Sequence, residues 1–150
     1  MPNDCEETVY PCIRCECIAS RVRMIDRVIN SIYDDALRPF GLTASQMNIL
    51  HMTAEIGVAR AADMCRTLHL DTSTISRNID RMRKKELLEE VDGGDARSRP
   101  FQVTADGRRV LEHADKAWRE AQDAAAEQLG DDGLRWLELL SQRISPGLQC

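Results

Sequence analysis

The stretch DTSTISRNIDRMRKK, residues 71–85, sets Thr72, Ser73, Thr74 and Ser76 ahead of Arg77, Arg81, Arg83, Lys84 and Lys85. Hydroxyls donate to phosphate oxygens or base edges, a threonine methyl can meet a thymine methyl, and a guanidinium can pair with two guanine acceptors at once. The chemistry on offer is non-covalent recognition of a polyanion. Its plainer rival is a solvated helix with a basic end and hydroxyls that cap it. Capping accounts for Asp71 or Thr72 but not for all of Ser73, Thr74 and Ser76. Arg81, Lys84 and Lys85 suit phosphate contact or solvent more than base reading.

A second stretch, CEETVYPCIRCEC at residues 5–17, crowds Cys5, Cys12, Cys15 and Cys17 together. Thiolates ligate zinc or another soft metal, and they are also the form that oxidants attack. The uneven gaps lack the paired Cys-x-x-Cys spacing of a strong zinc signature. On a helix Cys15 and Cys17 stand about 200° apart, so they share one ion only if the chain unwinds there. Cys12 and Cys15, at i and i+3, are better placed. For a redox switch, Arg14 and a helix N-terminus favour thiolate while Glu6, Glu7 and Glu16 oppose it. Metal site, redox switch and inert thiols all stay open. Cys65 reads as a small core residue and Cys150 as terminal.

The net charge of −5 argues against nucleic acid only until it is divided along the chain. Residues 60–109 hold 11 Lys and Arg against 9 Asp and Glu (+2), which leaves 9 against 16 (−7) elsewhere. That partition fits a polyanion-binding head on an acidic body, because the local field decides which face meets phosphate. The opening MPNDCEETVYP lacks a basic start and an apolar run, and no stretch approaches a membrane span of about 20 apolar residues. A cytoplasmic location without membrane association is expected, where thiols are normally reduced.

The elements that must position these residues follow from periodicity. A length of 150 residues with 43% hydrophobic and only 4% aromatic content suits one mainly helical domain. Ile18, Val22, Ile25, Ile29, Ile32 and Ala36 form the stripe of a long helix over Pro11–Arg38. Thr43 caps a second helix through about Glu55, which Gly57 ends. A third covers RAADMCRTL, and after the tight LHLD turn Asp71 or Thr72 caps a fourth, with Ile75, Ile79 and Met82 inward. Helices three and four form a helix-turn-helix, whose second helix can enter a DNA major groove. LLEEVDG and RPFQVT read as two strands of a β-hairpin turned at Gly93 and Gly94. Thr104 caps a fifth helix with Val110, Ala114, Ala117, Ala121 and Ala124 or Ala125 on one side. A sixth, from Gly133 to about Ile144, carries Leu134, Leu137, Leu140 and Ile144. Helices one, five and six have apolar stripes beyond what one small head needs, which favours a dimer.

This order, with GLTASQMNIL, STISRNIDRMRKKEL, DAR and VTADGRRVL at their places in it, resembles the MarR family of bacterial winged-helix transcription regulators from about Cys15 to the end. The resemblance implies a mainly α fold with a small β-hairpin wing, arranged as one domain. Residues 1–38 would supply the cysteine-rich N-terminus and a dimerisation helix, 43–104 the DNA-binding winged helix, and 105–150 the C-terminal dimerisation helices. It implies a homodimer that binds a pseudo-palindromic operator in double-stranded DNA and usually represses nearby genes. Ser73, Thr74, Ser76 and Arg77 match the positions that face the major groove, with Arg81 beside them. Asp95 and Arg97 match the wing's Asp-x-Arg pair, the carboxylate orienting the hairpin and the arginine reaching the minor groove, with Arg99 assisting. A narrow A·T-rich minor groove concentrates negative potential and so suits an arginine; the plainer alternative is a surface salt bridge. The cysteine cluster departs from the common family pattern.

Many members of that family bind a small aromatic or phenolic effector. Met47, Met52, His51 and Tyr33 lie in the corresponding region, but they read equally as core and carry no assignment. No Ser-His-Asp arrangement, phosphate-cradling glycine loop or HExxH makes a case for an enzyme. No cofactor is required, although zinc or another soft metal is compatible with the N-terminal cysteines. The rival is a thiol-redox or metal-binding protein without operator recognition, and behind it a protein-interaction module.

Overall fold

The computed structural model describes residues 17–92 and 99–144. Helix α1 (Ile18–Leu37) leads through a 3-10 turn (Arg38–Phe40) to α2 (Ala44–Ile56). Thr43 and Gln46 close a reciprocal capping box at the start of α2, each side chain satisfying the other's backbone N–H. Asp34 of α1 accepts a bond from the Ala44 N–H at 2.7 Å, which fixes α2 against α1. Strand β1 (Val58–Ala59), α3 (Ala61–Leu68) and α4 (Thr72–Lys84) follow, then β2 (Leu88–Glu90), β3 (Phe101–Val103) and α5 (Ala105–Ile144).

The expected hairpin is present, with Leu88 opposite Val103, Glu89 opposite Gln102 and Glu90 opposite Phe101. Its third strand was not expected. β1 pairs antiparallel with β3 on the other side, placing Ala59 opposite Phe101 and giving the order β1-β3-β2. Two residues show no alternation, so the segment has no strand signature of its own; β3's free edge recruits it.

The expected fifth and sixth helices are joined across a kink at Gly130, where the fifth was expected to end and whose φ of 66° and ψ of 170° lie outside the helical region. Only glycine adopts that conformation without strain, which is why the break falls there. Along α5, Ala114, Ala121 and Ala125 are buried and Ala124 is exposed. The small alanines let α1 pack closely against α5. For α1, the described helix starts at Ile18 with Cys17 as its N-cap; the expected start at Pro11 lies outside the described residues.

The core joins the head to this base. Leu37 of α1, Ile49 and Leu50 of α2, Met64 of α3, Ile75 and Met82 of α4 and Phe101 of β3 are all essentially inaccessible. At the junction of sheet and α5, the Thr104 hydroxyl donates to the Glu86 carbonyl at 2.6 Å and accepts from the Gly107 N–H at 2.9 Å. Gly107 abuts the Leu87 carbonyl so closely that a β-carbon there would stand 2.3 Å from that oxygen and 2.7 Å from Val103 Cγ1.

Candidate nucleic-acid interface

Helix α4 has two unlike faces because its apolar residues recur at helical spacing. Ile75, Asn78, Ile79 and Met82 are buried, while Ser73, Ser76, Arg77 and Arg81 are exposed on the other side and Thr74 is half-buried. The inner face anchors the helix, so the outer one is held at a fixed height above the core.

Asp71 organises the leading edge. As N-cap it accepts from the Thr74 N–H at 2.9 Å, the Thr74 hydroxyl at 2.6 Å and the Ser73 hydroxyl at 2.5 Å. Arg77 lies back along the helix, donating through Nε to the Ser73 carbonyl at 3.0 Å and through a terminal nitrogen to Ser73 Oγ at 2.9 Å. The Ser73 and Thr74 hydroxyls thus belong to the cap, alongside Asp71. One carboxylate has lone pairs for both, so capping takes up these two hydroxyls and still does not account for all three, since Ser76 is left over. Ser76 and Arg81 stay outside the cap network.

Those bonds hold the Asp71 carboxyl well below the usual carboxylate range, the Ser73 and Thr74 hydroxyls being the main causes and the Thr74 amide the next. A depressed folded-state pKa contributes stability that is complete above the unfolded value of about 3.9 and declines as pH falls through the folded value. Asp71→Asn is therefore expected to flatten the acid limb of stability below pH ~4. Urea unfolding at several pH values measures it; an unchanged acid limb would refute the network.

The basic end of α4 divides between structure and surface. Lys85 donates to the Gly41 carbonyl at 2.5 Å, tying the helix's far end to the turn after α1. It therefore has a structural role that its place in a basic run did not reveal. Arg83 lies mostly covered against β2, 3.6 Å from Glu90. Arg99, at the foot of the wing, is exposed and 4.0 Å from the same carboxylate. Asp95 and Arg97 lie outside the described residues, as do Cys5, Cys12 and Cys15.

Cys17 is described and partly exposed. The Ser20 amide, then the Ser20 hydroxyl, lower its thiol pKa and favour thiolate at the start of α1. Cys65 packs on the core's edge with its sulfur 3.9 Å from the Thr72 hydroxyl. Among the described residues, no group of His, Cys, Asp and Glu is placed to hold a metal ion, and no helix is long and apolar enough to cross a membrane.

Met47 and His51 line an open cleft of about 550 Å³ between α2 and α5. Tyr33 and Trp118 bound a smaller one of about 250 Å³, where the Tyr33 hydroxyl donates to Gln122 and burial raises its pKa. Met47 is itself a core residue and Met52 packs against the core, whereas His51 is exposed beside Glu55.

The MarR family profile matches residues 40–98, the span from the 3-10 turn to the wing. The fold is similar to that of a cysteine-to-serine mutant of MarR from E. coli in complex with operator DNA, with a TM-score of 0.77 at 18% identity, covering 91% of this chain and all of that one. The transcriptional regulator MOSR of M. tuberculosis in complex with DNA gives 0.73 at 29% identity, covering 89% and 100%. BpsR of Bordetella bronchiseptica, whose DNA binding is regulated by 6-hydroxynicotinic acid, gives 0.78 at 18% identity, covering 93% and 100%. A comparison with curated proteins finds no match. With α4, the three-stranded sheet and the long helical base all in the order of these winged-helix structures, the chain shares their fold, and its residues 40–98 are similar to the MarR family.

Proposed function

We propose that this chain is a non-enzymatic, sequence-specific DNA-binding transcription regulator that acts in the cytoplasm. It binds a pseudo-palindromic operator as a homodimer and represses adjacent genes. The observation that carries this reading is the outer edge of α4. Ser76 and Arg77 present donors, with Ser73 and Thr74 held by Asp71 beside them, on a helix locked to the core by Ile75, Ile79 and Met82, next to a hairpin wing. The DNA complexes formed by the E. coli and M. tuberculosis proteins of this fold support it.

A second copy of the chain accounts for apolar surface that one copy leaves bare. Ile18 is 78% exposed, Trp136 65% and Ile144 77%, with Val22, Ile25, Leu137 and Leu140 between them. Covering that stripe in a two-fold dimer also sets two reading helices on successive major grooves, which duplicates every base contact.

The input is a thiol one in this reading. A thiolate-favouring Cys17 at the start of a dimerisation helix lies where oxidation, or capture of a soft metal together with Cys5, Cys12 and Cys15, would alter the spacing of the heads. Fluorescence anisotropy on DNA upstream of the protein's own coding region, against a scrambled competitor, tests both parts. Selective, salt-sensitive binding by a dimer-sized species is expected, weakening after mild peroxide. The peroxide response should vanish when Cys12, Cys15 and Cys17 become serine. Failure to select any DNA in either redox state would overturn the regulator, and would leave a thiol-redox or metal-binding protein to be tested by metal stoichiometry.

A further inference from the structure

Glu90 sits where the reading helix and the wing meet. Its strand position, opposite buried Phe101, puts it on the same face of β2 as buried Leu88, the face that packs on α4. Glu89, one residue earlier, points the other way and accepts a bond from the Gln102 amide at 2.7 Å. On the α4 side Glu90 Oε2 is 3.6 Å from a terminal nitrogen of Arg83, a side chain only 22% exposed. On the wing side Glu90 Oε1 is 4.0 Å from Nε of Arg99, which is 69% exposed. Arg83 Nε is buried with no hydrogen-bond partner among the described residues, and Glu90 is an acidic neighbour of its guanidinium and a counter-charge that makes its burial tolerable.

We infer that Glu90 is a positioning residue for DNA recognition: one carboxylate joins Arg83 of the reading helix to Arg99 of the wing and restrains Arg99 from sequence-independent phosphate contact. The inference rests on the proposed DNA binding. Its physical content is a competition. DNA phosphate and Glu90 are alternative partners for the same guanidinium, and a phosphate contact carries no sequence information. While Glu90 holds Arg99, the chain entering β3 is tied to α4 and so to the register of the major-groove contacts. Without it, Arg99 adds to the electrostatic term that any duplex satisfies.

The test compares wild type, Glu90→Gln, Glu89→Gln and the double variant Glu90→Gln with Arg99→Gln. Each is titrated with a duplex selected from random DNA by the wild-type protein and with a scrambled duplex, at several salt concentrations. Glu90→Gln is expected to bind scrambled DNA more tightly, to lose roughly 3- to 10-fold in selectivity over two wings, and to steepen the log Kd against log salt slope by about one per wing. The added Arg99→Gln should return the slope to the wild-type value. Glu89→Gln removes the same charge from the opposite face and should change the slope less.

A Glu90→Gln variant with wild-type slope and selectivity overturns the inference. So does one that only melts earlier, and so does an equal change in Glu89→Gln, which would mean bulk charge. If wild type itself selects no duplex, the DNA-binding reading fails first and separately.

Discussion

Arg77→Ala should lose roughly 100-fold or more in affinity for the selected operator while keeping most of its binding to scrambled DNA. A bidentate contact to a base is worth about 1–3 kcal/mol, and a two-fold dimer makes it twice. The loss is specific because Arg77 is exposed and its partners in the free protein, the carbonyl and hydroxyl of Ser73, lie on the same helix. Its removal therefore leaves no buried group unsatisfied, and thermal stability should change by only about 0.5 kcal/mol. Arg77→Lys sharpens the test. The charge is kept and the planar fork is lost, so the salt dependence should survive while selectivity falls. Anisotropy titrations at two salt concentrations separate the two components. Equal weakening on operator and scrambled DNA would make Arg77 a phosphate contact.

The second large effect is on the fold. Gly107→Ala replaces a glycine in the first turn of α5, where alanine's helix propensity would ordinarily add about 1 kcal/mol of stability. Here the added methyl would stand 2.3 Å from the Leu87 carbonyl oxygen, a backbone atom that cannot rotate away. Leu87 is itself fixed, since its N–H donates to the Met82 carbonyl at the end of α4 and its carbonyl accepts from the Thr104 N–H. The helix must shift, and the Thr104 bonds to Glu86 and Gly107 shift with it. A net loss of roughly 2–4 kcal/mol is expected, and with it a fall in Tm of roughly 5–15 °C. Calorimetry measures it; a variant as stable as wild type would mean that α5 does not approach Leu87 so closely.

How much of this was legible beforehand depended on whether a residue's partner is near it in sequence. The helices over α2, α3 and α4 were readable because their apolar spacing and their caps, Thr43 and Asp71, are local signals. The hairpin strands were readable for the same reason. β1 was not, because Val58 and Ala59 become a strand only through β3, more than forty residues on. Capping was legible as an alternative for the hydroxyls, but not that Ser73 and Thr74 are the ones it takes, because composition counts hydroxyls and not the lone pairs of the carboxylate that collects them. Arg83 and Lys85 looked like members of a uniform basic run. Their separate duties, toward Glu90 and toward the Gly41 carbonyl, follow from which way each leaves α4 and what is packed there. In VTADGRRVL, Gly107 reads as an ordinary helix residue. Its necessity comes from the backbone of Leu87 lying across it.

The closed bonding at the start of α4 has a kinetic consequence. A reader whose polar groups were bare would sit badly on every wrong sequence, since each mismatch would trap a donor against a surface that cannot accept it. Here Ser73, Thr74 and Arg77 have partners of their own within the helix. On a non-cognate duplex they would have nothing to gain by leaving those partners and lose nothing by staying, so under the proposed function the resting hold on DNA is expected to be electrostatic and nearly indifferent to position. Translocation along the duplex then meets a smooth energy profile, with a well only where a base edge competes successfully for Arg77. Under the proposed function, the Asp71 network would separate a searching state from a reading state, with Arg77 as the side chain that moves between them.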